Sequence, residues 1–193
     1  MIIGLSGYAQ SGKDTAASFF EGYERRAFAD PMRDVLYTLN PIVKSGLNLQ
    51  DAIDEDGWDK AKVRYPEIRR LLQVLGTEVG RAMWGDNFWV WQATKGLNSN
   101  QNIVFTDVRF PNELEEIKIF GGVTVRIVRD GVEAVNTHPS ESALDDATFD
   151  FTIHNNGTLE ELKAKIENLV QMLKFVEPYM RFADSHKNQQ TGN

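Results

Sequence analysis

Gly7-Tyr8-Ala9-Gln10-Ser11-Gly12-Lys13-Asp14-Thr15 constrains this chain more than any other segment. It follows an apolar run, residues 2–6, that reads as a short buried strand. It precedes a helix expected over about residues 12–22, with Ala16, Ala17, Phe19 and Phe20 as apolar contacts. The G-x-x-x-x-G-K spacing between a strand and a helix is a phosphate cradle. Gly7 and Gly12 permit backbone geometry that side chains obstruct, so the N–H groups of Ala9, Gln10, Ser11 and their neighbours turn toward an anion. Lys13 then bridges the β- and γ-phosphates, and the helix N-terminus adds its positive dipole end. Asp14 stands where the pattern usually has Ser or Thr. A hydroxyl there ligates Mg²⁺, and a carboxylate does so directly or through water. Thr15 offers its hydroxyl to a phosphate oxygen. The competing reading is a chance glycine loop with an exposed lysine, and the strand–loop–helix context weighs against it.

The remaining pattern predicts an α/β fold. Residues 25–29 and 102–108, Val123–Val128 and residues 150–153 read as further strands. Pro31 suits the start of a helix carrying Met32, Val35, Leu36 and Leu39. Residues 40–60 carry little pattern, and the acidic stretch 48–59 is expected to be exposed. The best-defined helix begins at Pro66 and places Ile68, Leu71, Leu72, Leu75, Val79 and Met83 on one apolar face. Further helices are expected over residues 88–97, after Pro111, and after a Thr158/Glu161 capping box with Leu162, Ile166, Leu169, Val170 and Leu173 inward. Strands alternating with helices imply a mostly parallel sheet of about five strands flanked by helices, with ligands at its carboxyl edge. Residues 1–183 read as one domain, with a core of about 1–29, 100–128 and 148–176. A helical lobe of about 30–99 stands beside it, a lid covers about 129–147, and residues 184–193 are a polar tail expected to be disordered.

Whole-chain properties narrow the function. A formal charge of −7 over 193 residues argues against general nucleic-acid binding, which needs a dense basic surface. It leaves room for small phosphorylated ligands, which need only a few cations and backbone N–H groups. No run approaches the ~18 apolar residues of a membrane span, and the first residues lack the features of a signal peptide. With no cysteine there is no disulfide or thiolate metal site. Cytoplasmic residence is expected.

Other residues supply chemistry around the cradle. Ile103–Val108 is an apolar strand carrying Asp107 near its end, where a Mg²⁺ or water contact belongs, and Arg109 follows within reach of a phosphate. A plain Asp–Arg pair is the alternative. Arg70, Gln73, Thr77 and Arg81 share a polar stripe of the Pro66 helix that suits a phosphate and a base edge. A solvated helix face explains them equally well. Arg126 and Arg129 flank the end of the Val123–Val128 strand. Arg129 is the stronger candidate for a lid arginine, because strand alternation argues against Arg126. His138-Pro139-Ser140-Glu141 belongs to the same flap, and three scattered histidines make no metal site. Asp30 and Arg33 line an acceptor site or serve as cap and surface. Trp84, Trp89 and Trp91 read most simply as lobe core. There is no Asn-Lys-x-Asp for guanine recognition by a GTPase.

Taken in order, these blocks resemble the deoxynucleoside monophosphate kinases of tailed bacteriophages, within the P-loop nucleoside monophosphate kinase group. The likeness rests on Leu5 through Thr15, Phe28-Ala29-Asp30-Pro31, Leu72-Gln73-Val74-Leu75-Gly76-Thr77-Glu78 and Asp107-Val108-Arg109-Phe110-Pro111-Asn112-Glu113. His138–Glu141 and Phe151-Thr152-Ile153 with Asn155-Asn156-Gly157-Thr158 complete it. It implies a P-loop NTPase fold with an NMP-binding lobe and a short lid. It further implies ATP with Mg²⁺ as donor, a deoxynucleoside 5′-monophosphate as acceptor and a diphosphate product. Asp14 then belongs to the family's usual loop, and Asn155 and Gly157 pack near the donor adenine. Lys13, Asp14, Asp107, Arg109 and Arg129 carry catalysis, with Asp14 and Asp107 holding the metal. Asp30, Arg33, Arg70, Gln73, Thr77, Arg81 and Arg109 face the acceptor. A homodimer is permitted but not required, and a phage-encoded enzyme works in the host cytoplasm. Two readings stay open beside this one: a P-loop kinase for dephospho-coenzyme A or phosphomevalonate, and a nucleotide-dependent regulatory module without transfer.

Overall fold

The computed structural model describes residues 1–98, 100–134 and 138–190, with side chains through residue 176. The chain divides into two compact units, Met1–Ala27 with Gly96–Asn193, and Phe28–Lys95.

The first unit is built on a five-stranded sheet. Strand β1 (Ile2–Ser6) leads into α1 (Lys13–Ser18) and then β2 (Glu24–Arg26). Within Phe28–Lys95 follow α2 (Asp30–Leu39), the hairpin strands β3 (Ile42–Lys44) and β4 (Leu47–Asn48), α3 (Leu49–Arg64), α4 (Pro66–Gln73), a π-helical stretch (Val74–Arg81), α5 (Ala82–Trp84) and α6 (Phe88–Thr94). The chain returns through β5 (Ile103–Phe105), α7 (Pro111–Ile119), β6 (Val123–Val128), α8 (Pro139–Ser142), β7 (Phe151–His154) and α9 (Leu159–Gln190). The sheet order is β2-β5-β1-β6-β7, and every neighbouring pair is parallel. This is the expected α/β class.

Strand alternation decides which helix covers which face. Ile3 and Leu5 pack with Val104, Val125, Ile127 and Ile153 beneath α1 and α9, which contribute Ala16, Ala17, Leu162, Ile166 and Leu173. On the opposite face a Cβ at Gly4 would lie 3.0 Å from both Ile117 and Val108, so α7 sits directly on β1. The capping box at the head of α9 is formed: Thr158 N donates to Glu161 Oε2 at 3.2 Å and Glu161 N to Thr158 Oγ1 at 3.3 Å.

Several expectations need revision. Helix α1 stops at Ser18, well short of residue 22, and Phe19 caps it before the turn at Gly22. Strand β5 is shorter than residues 102–108, because the backbone after Phe105 turns to deliver the residues that follow it. The segment expected as a polar tail from residue 184 continues α9 to Gln190, since propagating a helix costs far less than nucleating one. Residues 135–137 of the expected lid, residue 99 and residues 191–193 lie outside the described residues.

In the Phe28–Lys95 unit the acids of residues 48–59 are largely exposed, as expected, but the stretch is helical and has a buried side. Helix α3 buries Leu49, Ala52, Ile53 and Ala61 against Leu36, Tyr65 and Ile68, and changes direction at Gly57. The Pro66 helix winds as α only to Gln73 and then as π to Arg81. Its expected face therefore drifts: Ile68 is buried, whereas Met83 is exposed. Of the clustered tryptophans only Trp89 is buried, while Trp84 and Trp91 reach the surface. Among the described residues no helix is long and apolar enough to cross a membrane.

Close packing explains the two glycines of the π stretch. A Cβ on Gly76 would lie 2.7 Å from Met32 Sδ, and one on Gly80 would collide with Trp89 Nε1 and approach Leu75 O at 2.9 Å. Helix propensity alone favours Gly80→Ala by about 1 kcal/mol. The buried indole cannot retreat, so overpacking of roughly 1–3 kcal/mol should outweigh it. We expect a lower urea midpoint for Gly80→Ala; a raised midpoint would refute this packing.

Candidate functional site

Residues Gly7–Thr15 wrap around the carboxyl end of β1. Gly7 adopts φ +146° and Gly12 φ +95°, both in the range that glycine tolerates best, and Gln10 also has positive φ, at +67°. A Cβ on Gly7 would strike the Ile127 carbonyl oxygen, and one on Gly12 would strike Asn155 Nδ2. Neighbouring chain thus approaches the loop too closely for any side chain. Ser11 N donates to Tyr8 O at 3.2 Å, and Asn155 Nδ2 donates to Ser11 O at 2.9 Å, which ties the β7–α9 connection to the loop. Ser11 Oγ is buried without a hydrogen-bond partner. Ala9 is half-buried, and Gln10 and Gly157 are exposed.

Lys13 begins α1 with only 8% of its surface exposed, and Nζ donates to Tyr8 O at 2.9 Å. Burial pushes its ammonium down to about 8, helped by the charge of Arg109 and opposed by Asp14, Asp107 and Glu141. Three other predicted residues, Asp14, Asp107 and Arg109, therefore lie within electrostatic reach of Lys13. Asp14 and Thr15 are exposed on the first turn of α1, and Asp107 is half-buried just past β5.

Arg109 is fixed by two acids. Glu113 Oε2 accepts from Arg109 N at 2.7 Å and Phe110 N at 3.0 Å, and Glu141 Oε1 accepts from Arg109 Nη1 at 2.9 Å. The sequence pattern places Glu141 in a flap and assigns it no role.

The two flap arginines line one cavity. Arg126, disfavoured by strand alternation, lies 5.3 Å from the Tyr8 ring and 5.4 Å from the Phe149 ring. It donates to Leu144 O at 3.3 Å and to Asp145 Oδ1 at 3.2 Å. Tyr8 Oη also donates to Asp145 Oδ1, at 2.6 Å, and this bond raises the phenol above its ordinary value. Arg129 is exposed and, with Arg126, Tyr8, Ser11, Val132 and Phe149, lines a cavity of about 480 Å³ at the ends of β6 and β7. Tyr8, Asp145 and Phe149 were not singled out from the sequence. Their link to Arg126 spans distant segments and has no local pattern.

The candidate acceptor residues lie in the Phe28–Lys95 unit. Arg33 Nη1 donates to Asp30 Oδ1 at 3.0 Å and its guanidinium lies 5.9 Å from the Trp58 ring, while Nε is buried without a partner. Arg70 is engaged by Glu67 at 2.6 Å, and Arg81 Nη1 donates to Asp86 O at 3.0 Å. Gln73 and Thr77 are half-buried. The expected stripe through residues 70, 73, 77 and 81 presumed α winding throughout, and the π stretch takes its second half out of that register.

The family model for deoxynucleotide monophosphate kinase matches residues 52–166. An Acanthamoeba polyphaga mimivirus protein named as a candidate deoxynucleotide monophosphate kinase is 31% identical over 190 residues, covering 88% of this chain and 96% of the relative. Deoxynucleotide monophosphate kinases of Escherichia phage RB69 and Enterobacteria phage T4 are 35% and 30% identical, over 54% and 62% of this chain. The matched regions span 45% and 48% of those phage proteins, so the chain matches about half of their length. A family model spanning most of the chain, and a viral relative aligned almost end to end, place this protein in the deoxynucleotide monophosphate kinase family.

Proposed function

We propose that the protein transfers the γ-phosphoryl group of ATP to the 5′-phosphate of a deoxynucleoside monophosphate, giving the diphosphate and ADP. The observation that carries this reading is the meeting of Lys13, Asp14, Asp107 and Arg109 at a loop whose glycines leave no room for side chains. An acceptor phosphate oxygen attacks the γ-phosphorus in line, a new P–O bond forms, and the bond to the bridging oxygen of ADP breaks. Little covalent work is needed from the protein, so positioning and charge stabilisation dominate.

Loop amides and Lys13 bind the donor phosphates, while Arg109 and a flap arginine, Arg126 or Arg129, offset charge on the transferring group. The cavity lined by Tyr8, Ser11, Val128, Arg129 and Phe149 suits the donor base, because aromatic and aliphatic walls there meet a few polar groups. Arg33 is the best-supported acceptor ligand, since its Nε is a buried donor awaiting an oxygen. Asp30, Gln73, Thr77 and Arg81 complete that role, and Arg70 joins only by leaving Glu67.

Asp14 and Asp107 fit Mg²⁺: two carboxylates with nucleotide and water oxygens are its usual shell, and no protein-only cage of three or more ligands occurs among the described residues. When bound, the ion neutralises phosphate charge. The net charge supports small nucleotides over nucleic acid as partners, and a cytoplasmic setting supplies them.

A panel of deoxynucleotide and ribonucleotide monophosphates, dephospho-coenzyme A and phosphomevalonate, each with ATP and Mg²⁺ and products identified by mass, tests this assignment. Formation of a deoxynucleoside diphosphate is expected. Transfer only to a non-nucleotide acceptor would reject it.

A further inference from the structure

Segment His138–Ser142 takes no part in the roles above, although it puts a carboxylate against the phosphate loop. His138 caps α8: its Nδ1 accepts from Ser140 N at 3.2 Å and lies 2.8 Å from Ser140 Oγ, and Glu141 N donates to His138 O at 2.9 Å. This closed turn aims Glu141 inward, with 8% of its side chain exposed. Glu141 shares a small recess with Ser6, Gly7, Tyr8, Arg109 and Arg126. A carboxylate at that depth is costly unless it is paired, and Arg109 Nη1 pairs it at 2.9 Å.

Arg109 is thereby clamped at both ends. Glu113 fixes its backbone and Glu141 fixes its guanidinium. A guanidinium has five N–H donors. Glu141 takes one of them, and 39% of the Arg109 side chain remains exposed to meet an oxyanion. Without Glu141 the long side chain would sample several rotamers, and its charge would no longer be preorganised.

We propose that Glu141 is a positioning residue for phosphoryl transfer, holding the Arg109 guanidinium at the phosphate loop and acting through Arg109 without touching substrate. The proposal rests on the kinase reading. It differs from a mere structural ion pair in its coupling: a clamp on Arg109 has nothing to contribute once Arg109 is gone.

Glu141→Ala, Glu141→Gln, Arg109→Ala and the double variant Arg109→Ala/Glu141→Ala test it, with kcat and KM measured for both substrates and ATP affinity measured by calorimetry. Glu141→Ala should lower kcat by about 10- to 100-fold, in line with misplacement of a catalytic group by about 1 Å. Both KM values and the ATP affinity should stay within about threefold, because uniform binding is untouched. Glu141→Gln keeps an acceptor oxygen at the same reach and should recover most of the rate. In the Arg109→Ala background the second substitution should cause no further loss of rate. If Glu141→Ala does not fold, the glutamine and double variants decide, since the first keeps an acceptor for Arg109 and the second removes both charges of the pair. Three results overturn the proposal: wild-type kcat in Glu141→Ala, an equal fractional loss in the Arg109→Ala background, or a glutamine variant as slow as the alanine one. A wild-type enzyme inactive on every acceptor rejects the kinase reading and the positioning role together. An active wild type with an unaffected Glu141→Ala rejects the positioning role alone.

Discussion

Replacing Lys13 with alanine is expected to lower kcat by about 10²–10³-fold, the usual effect of deleting one preorganised charge at a reacting oxyanion, while the protein stays folded. The second half of that statement follows from burial. Lys13 is held near 8, well below its ordinary value, so the fold disfavours its charged form. Between about 8 and the unfolded lysine value the unfolded chain binds more protons than the native one, so wild-type stability rises with pH across that window. Below it the charged ammonium is a standing cost of a few kcal/mol, partly offset by packing of the aliphatic stem. Lys13→Ala removes both contributions. Its Tm at pH 7 should be no lower than wild type, and the rise in stability from pH 8 to 10 should vanish. In the wild type, kcat/KM should fall as pH rises through about 8, because that ratio reports the free enzyme. A fully active Lys13→Ala enzyme would sink the kinase assignment.

Gly7→Ala should damage stability and activity together. The methyl group would meet the Ile127 carbonyl oxygen, which belongs to β6 and cannot move without opening the sheet, and would lie 2.8 Å from Ser11 Oγ. Positive φ adds strain of roughly 1–3 kcal/mol to an overpacking cost of similar size. We expect a urea midpoint lowered in proportion and ATP affinity reduced at least tenfold, both read on purified protein. Gly12→Ala meets instead the end of the Asn155 side chain. Shortening Asn155 in the same molecule should restore part of the loss at residue 12 and none at residue 7.

Legibility followed sequence distance and side-chain size. The phosphate loop, β1, β6 and the α9 capping box are local patterns written in consecutive residues, and they appear where the sequence puts them. Helix α3 has no legible apolar face because two of its buried positions are Ala52 and Ala61, too small to mark one, amid five acids and a glycine. The π stretch is hidden because templates spaced at i+3 and i+4 assume α winding from Pro66 onward. A side chain at Gly80 would collide with Trp89, so this stretch packs directly against α6. Arg109 and Glu141 are 32 residues apart, and Tyr8 and Asp145 are 137 apart. Neither pairing has a signature short of the folded sheet that joins them.

The division of the chain has an optical corollary. All four tryptophans, Trp58, Trp84, Trp89 and Trp91, fall within Phe28–Lys95, and the sheet unit has none. Indole emission is therefore a private channel for the smaller unit, whereas far-ultraviolet dichroism sums over both. Two denaturation curves recorded with these probes coincide only if the units melt as one cooperative body. A nucleotide that quenches the emission, in turn, reports from residues 28–95 without any label being attached.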